Sequence, residues 1–229
     1  RQRQMCIRDR TMYSVSTQLK SKDVSGVEIV QLKGGMSHSD KSTNDIRTIG
    51  GFCHAFHAYA RTLPLPVIFD SVETKRIVEQ DRFIASVLAL GRTVDIAVFT
   101  VGAVDHDSLA LNLGQLSATE KDLLVERAVG DACSRFYRAD GGIALPEVDA
   151  RTVGISLSDL RRIPTRVLVA GGAHKAAAID VALRTNLATH LVIDDATAER
   201  LLALDSPDSP AAPASPGSPD SSTPLTATE

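Results

Sequence analysis

The segment VLVAGGAHKAAAIDVAL, Val167 to Leu183, holds the densest chemical pattern in the chain. An apolar run reads as a buried strand, two glycines end it, and Lys175 falls in the first turn of the helix that follows. Glycines clear side chains from a turn, so backbone N–H groups can face a ligand. A helix N-terminus adds partial positive charge and Lys175 a full one. A cation placed there is unfavourable unless an anion offsets it, so Gly171, Gly172 and Lys175 form a candidate phosphate cradle. The plainer alternative is a tight strand-to-helix turn with a solvent-facing lysine. Neither GxxxxGK[ST] nor GxGxxG spacing occurs, and no cofactor is expected.

Four further groups carry polar chemistry at the ends of apolar runs. Gly34-Gly35 is followed by Ser37, His38, Ser39, Ser42, Thr43 and Asn44, which suit sugar hydroxyls or an ordinary polar loop with a helix cap. Asp70-Ser71, with Glu73, puts a carboxylate at a strand end, where it would accept from hydroxyls or cap the next helix. Gly102 precedes Asp105, His106 and Asp107. Adjacent side chains rarely converge on one ion, so an exposed loop is expected there and no metal site. Gly130-Asp131 stands before Cys133 and Arg135, and Arg135 is a candidate partner for Asp131. No GxSxG elbow is present, and no residue is assigned as catalytic.

The elements needed to position these groups follow from periodicity. A short helix spans Thr11 to Leu19, and a strand Val27 to Leu32. A helix capped by Thr43 runs to about Tyr59, with Gly50-Gly51 implying close packing. Leu65 to Phe69 is a strand, and Glu73 to Leu90 is helical with a break near Asp81. Val94 to Thr100 is a strand that Gly102 closes. Ser117 and Glu120 form a capping-box signature for a helix over Ala118 to Arg127. Cys133 to Tyr137 is a short strand, Asp140-Gly141-Gly142 a turn and Ser158 to Arg162 a brief helix. The order then becomes strand Arg166 to Ala170, helix His174 to Arg184, strand His190 to Ile193 and helix Ala196 to Leu202. Short non-alternating apolar strands separated by helices predict an α/β fold, a mainly parallel sheet with helices on both faces.

Bulk properties bound the rest. The net charge is -3, and the tail from Asp205 holds Asp205, Asp208, Asp220 and Glu229 with no Lys or Arg. The body is therefore nearly neutral and offers no electrostatic case for nucleic-acid binding. Residues 205–229 are rich in Pro, Ser, Ala and Thr and read as a disordered tail. Residues 1–10, with Arg1, Arg3, Arg8 and Arg10, read as a non-native or unstructured segment, or alternatively as a basic arm. Cys6, Cys53 and Cys133 show no paired spacing and read as buried thiols in a reducing compartment, which makes the cytoplasm the expected location. No apolar run approaches a membrane span of about 20 residues.

Taken in order, VEIVQLKGG, the helix beginning TNDI, LPVIFDS, VDIAVFTVGAVD, AVGDACSRFYRADG, VGISLSDLRRIP and VLVAGGAHKAAAIDVAL resemble the C-terminal domain of the SorC/DeoR-type sugar-binding transcriptional regulators. The resemblance covers Thr11 to Leu204. It implies a fold related to glucosamine-6-phosphate deaminase and ribose-5-phosphate isomerase, and a phosphorylated sugar or related small metabolite as effector. It also implies self-association as a dimer or tetramer. Its ligand-binding positions map to Gly34, Gly35, Asp70, Gly102, Asp131, Gly171, Gly172 and Lys175. Such regulators begin with a helix-turn-helix domain and a first sheet strand with its ligand loop. Neither pattern stands before Thr11, so the expectation is an N-terminally truncated effector domain that would reach DNA only through the missing part. The family's GxG-like turn is Thr100-Val101-Gly102-Ala103 here. The alternative is a sugar-phosphate isomerase or deaminase of the same fold, with Asp70, Glu73 or Asp131 as general base. A third reading is an oligomerisation module that binds nothing.

Overall fold

Helix α1 (Ile7–Gln18) packs on α2 (Asp45–Phe56) at the glycine pair, where a side-chain carbon on Gly51 would come within 2.8 Å of the Ser16 Cβ. The computed structural model describes residues 7–35 and 44–204. The loop residues Ser37, His38, Ser39, Ser42 and Thr43 and the tail from Asp205 lie outside the described residues. Strands β1 (Glu28–Val30) and β2 (Tyr59–Arg61) pair in parallel, Glu28 opposite Tyr59. Helix α2 stops earlier than its apolar period suggests, because His57 adopts a left-handed conformation (φ 50°) and its neighbourhood closes on the Cys53 carbonyl. That turn frees Tyr59 to Arg61 to form a strand.

The expected strand Leu65 to Phe69 does not form. Isolated bridges take its place, among them the antiparallel pairing of Ile68 with Thr152. Pro64 and Pro66 remove backbone donors at alternate positions, which a ladder cannot tolerate. The segment is held by backbone bonds to residues 151–153, Phe69 N–H to the Arg151 carbonyl at 2.9 Å and Val153 N–H to the Val67 carbonyl at 2.7 Å, and by its side chains. Leu63 is buried against Ile84, Val87, Leu88 and Val153. The predicted break near Asp81 is present. Helix α3 (Val72–Glu79) is capped by Ser71, whose hydroxyl accepts the Thr74 N–H at 3.0 Å, and α4 (Arg82–Gly91) by Asp81, which accepts from Phe83 and Ile84.

Strand β3 (Ile96–Phe99) leads a second parallel sheet, in the order β3, β7 (Thr165–Val169), β8 (His190–Val192). Gly102 does not close that strand. After Thr100 the chain continues as β4 (Val101–Ala103), which enters an antiparallel sheet with β5 (Gly130–Ala132) and β6 (Arg135–Tyr137). The fold is thus α/β with mixed sheets, not one mainly parallel sheet. The β5–β6 hairpin turns on Cys133 (φ 51°) and Ser134 (φ 63°). Two-residue hairpin turns with positive φ at both positions favour Asn or Gly, so this sequence hid the hairpin.

Helix α5 (Ala118–Arg127) carries the full reciprocal capping box of Ser117 and Glu120. Two short helices follow, α6 (Pro146–Ala150) and α7 (Leu157–Leu160), then α8 (Ala176–Arg184) and α9 (Asp195–Leu204). The main core joins Phe99, Val101, Leu168, Ile179 and Leu187, so α8 lies across β4, β5 and β7. Each such side chain contributes about 1.5–3 kcal/mol on burial. Among the described residues no helix is long and apolar enough to cross a membrane.

Candidate functional site

Strand β7 delivers Ala170 to the Gly171-Gly172 turn, and a single 3-10 turn, Ala173–Lys175, leads into α8. Gly172 has φ 105°, a conformation that strains any side-chain-bearing residue. Its N–H donates to Asp194 Oδ2 at 2.9 Å. A carboxylate of the chain therefore lies against the loop read as a cradle. Asp194 was not singled out from sequence, although its place between an apolar strand and a helix marks it as a cap. Its carboxyl sits below the ordinary carboxylate range because the Thr197 and Gly172 backbone N–H groups both stabilise the charged form.

Lys175 is not solvent-facing: only 1% of it is exposed. It occupies the N-cap position of α8, without a side-chain cap bond. The 3-10 turn that carries it packs on β4, whose Gly102 pairs with Asp131 of β5. Gly102, Asp131 and Lys175 therefore come from adjoining elements, and all three are buried. Asp131 accepts the Ser134 N–H at 3.2 Å, which ties it to the strained hairpin turn.

Arg135 does not serve Asp131. Its guanidinium donates to the carbonyls of Asp149, Thr152, Gly154 and Ile155 and to the Asp149 carboxylate at 3.0 Å. It is a staple for the 149–155 segment. That segment in turn holds the Gly34-Gly35 loop, with Gly34 N–H donating to Val153 O at 3.2 Å and Lys33 bridging to Gly154. Gly34 has a packing reason to be glycine, since a Cβ there would lie 2.6 Å from the Pro66 carbonyl oxygen. Gly35 faces the side chains of Gln31 and Asp45.

Asp70 stands apart. It is exposed, follows no strand and precedes the Ser71 cap of α3. Glu73 pairs with Arg76 on the outer face of α3 at 2.8 Å. Neither is gathered with Asp131. Asp105, His106 and Asp107 form the exposed loop expected of them.

A cleft of about 440 Å³ opens between α1 and the carboxyl ends of β7 and β8, lined by Thr11, Ser14, Gly171 and Asp194 among apolar walls of Val15, Val169, Val192 and Ile193. It offers hydroxyls, a carboxylate and a glycine-rich turn. Such groups can hydrogen-bond a polar ligand, and among these lining residues no nucleophile–base pair is formed.

A family model described as "Putative sugar-binding domain" matches residues 9–203. The chain belongs to the SorC/DeoR-type sugar-binding transcriptional regulators. It corresponds to the C-terminal effector domain of that family. It is 45% identical over 192 residues to the deoxyribonucleoside regulator of Bacillus subtilis (strain 168), covering 84% of this chain and 61% of that protein. It thus spans about three fifths of that relative's length. The LsrR transcriptional regulator of Klebsiella pneumoniae is 34% identical over 148 residues, which is 63% of this chain and 46% of that protein. Among solved structures, a transcriptional regulator from Streptococcus pneumoniae superposes with TM-score 0.77 at 27% identity, covering 85% of this chain and 74% of that one. A domain of a possible sugar-binding transcriptional regulator from Arthrobacter aurescens does so with TM-score 0.75 at 30% identity, covering 83% and 74%. These relatives are named as transcriptional regulators.

Proposed function

We propose that the chain binds a phosphorylated sugar or related small metabolite at the Gly171–Lys175 loop, with Gly102 and Asp131 beside it and Gly34 and Gly35 as further ligand positions. The observation that supports this reading most is the glycine turn running into a helix whose N-cap position, held by Lys175, is withdrawn from water. A buried ammonium at the positive end of a helix favours a nearby anion. Asp70 was part of the family-derived set, but its exposed place gives it no support.

Binding acts by bias: the effector prefers one arrangement of a dimer or tetramer, and DNA affinity shifts by the same coupling free energy, about 1–3 kcal/mol. DNA contact belongs to the helix-turn-helix domain typical of the family, and the protein works in the cytoplasm. The arrangement of helices on mixed sheets is read as related to the glucosamine-6-phosphate deaminase and ribose-5-phosphate isomerase fold. The 45%-identical relative is a deoxyribonucleoside regulator, so deoxyribonucleosides and pentose phosphates are the first compounds to try. Isothermal titration of the chain with these, hexose phosphates and inorganic phosphate tests the reading. Saturable binding of a phosphorylated member supports it, and no heat from any of them sinks it.

A further inference from the structure

We propose that Asp194 is a built-in competitor anion: its carboxylate latches the Gly171-Gly172 loop when the site is empty, and an effector's anionic group must displace it, uncapping α9. This rests on the reading of that loop as the anion site. One carboxylate serves two backbones. Oδ2 accepts the Gly172 N–H at 2.9 Å, and Oδ1 accepts the Thr197 N–H at 2.8 Å in the first turn of α9. The fit is close on the loop side as well, since a Cβ on Gly171 would lie 2.9 Å from the same Oδ2.

Asp194 is exposed and lines the cleft beside Gly171. A ligand entering the cleft therefore meets it directly, and the side chain can rotate towards water without a desolvation cost. A phosphate on the Gly172 N–H would sit against Oδ2, and two anions cannot share one donor at hydrogen-bond distance. Displacement has a structural consequence because Asp194 is also the α9 cap. Thr197 is fully buried, so the first turn of α9 is anchored to the body. Helix α9 packs on both α8 and the Ala173–Lys175 turn. Loss of its cap thus transmits site occupancy to an outer helix.

The test compares the chain with Asp194→Asn, titrating each with inorganic phosphate against chloride of matched ionic strength. Amide hydrogen exchange is followed at Gly172 and Thr197. Removing the competing charge should tighten phosphate binding by about tenfold, within the usual range of coupling effects. In the unaltered chain, phosphate should leave Gly172 protected and speed exchange at Thr197. If phosphate binds both forms equally, or the variant more weakly, with Thr197 unchanged in the unaltered chain, the latch is wrong while the anion site stands. Phosphate binding to neither form overturns the latch and the anion site together.

Discussion

Gly130 and Ala178 meet so closely that a Cβ on the glycine would lie 2.5 Å from the alanine methyl. The Tyr137 hydroxyl, which donates to the Ala178 carbonyl at 2.9 Å, closes the same gap. The glycine before Asp131 is thus where α8 crosses β5, and it sets the height of Asp131 relative to Lys175. Gly130→Ala should cost about 1–3 kcal/mol, the usual range for overpacking a core. Urea denaturation measures this, and an unchanged midpoint would show that the crossing tolerates a methyl group.

Lys175→Met keeps the volume and the apolar stem but removes the ammonium. Phosphate affinity should fall by at least about tenfold, in line with about 1.5–3 kcal/mol for a hydrogen bond to a charged group. Titration of a variant with native circular dichroism reads this out. Undiminished affinity would return the loop to a plain strand-to-helix turn.

Arg135 holds the 149–155 segment, which holds the Gly34-Gly35 loop. Lysine lacks the planar fork needed to reach four carbonyls. Arg135→Lys should lose at least about 2 kcal/mol of stability, because buried carbonyls are left without donors. A thermal midpoint within one degree of the parent would disprove the staple.

The Glu120 carboxyl is raised by partial burial, but more than offset by the Ser117 N–H, the Arg151 guanidinium and the Ser117 hydroxyl, so it ends below its ordinary value of 4.5. Arg151 also donates to the Phe69 carbonyl at 2.7 Å, so α5 anchors the proline segment through this pair. A depressed carboxyl contributes stability that is present above pH 4.5 and lost as pH falls through the lower folded value. Glu120→Gln should flatten the acid limb of the stability curve. An identical limb in the variant would remove the pair from the account.

Burial pushes the Cys133 thiol up to about 11 from 9.0. A raised thiol contributes stability that is intact below pH 9 and lost as pH rises towards 11, because the unfolded chain ionises first. Cys133→Ala should abolish that part of the alkaline loss. Cys133 is half-buried, and at pH 8 its raised thiol should be labelled slowly by a thiol reagent while the fold persists; rapid labelling would contradict the upward shift.

Some of this was written in the sequence. The Asp81 break, the Ser117–Glu120 box and the β7–glycine–α8 unit rest on contacts within a few residues, which local pattern records. The type of each group at the Gly171 loop was equally local. Tertiary structure decided the rest. Prolines that break a ladder and a left-handed His57 moved the second strand from Leu65 to Tyr59. A hairpin on Cys133-Ser134 turned Gly102 from a strand end into the partner of Asp131. Whether Lys175 faces water or the core depends on β4 and β5, which arrive from elsewhere in the chain. The anion facing Gly172 is likewise non-local, Asp194 standing 22 residues on. Sequence fixes which groups a turn can offer, but only packing brings β8 alongside β7 and so chooses the group that occupies it.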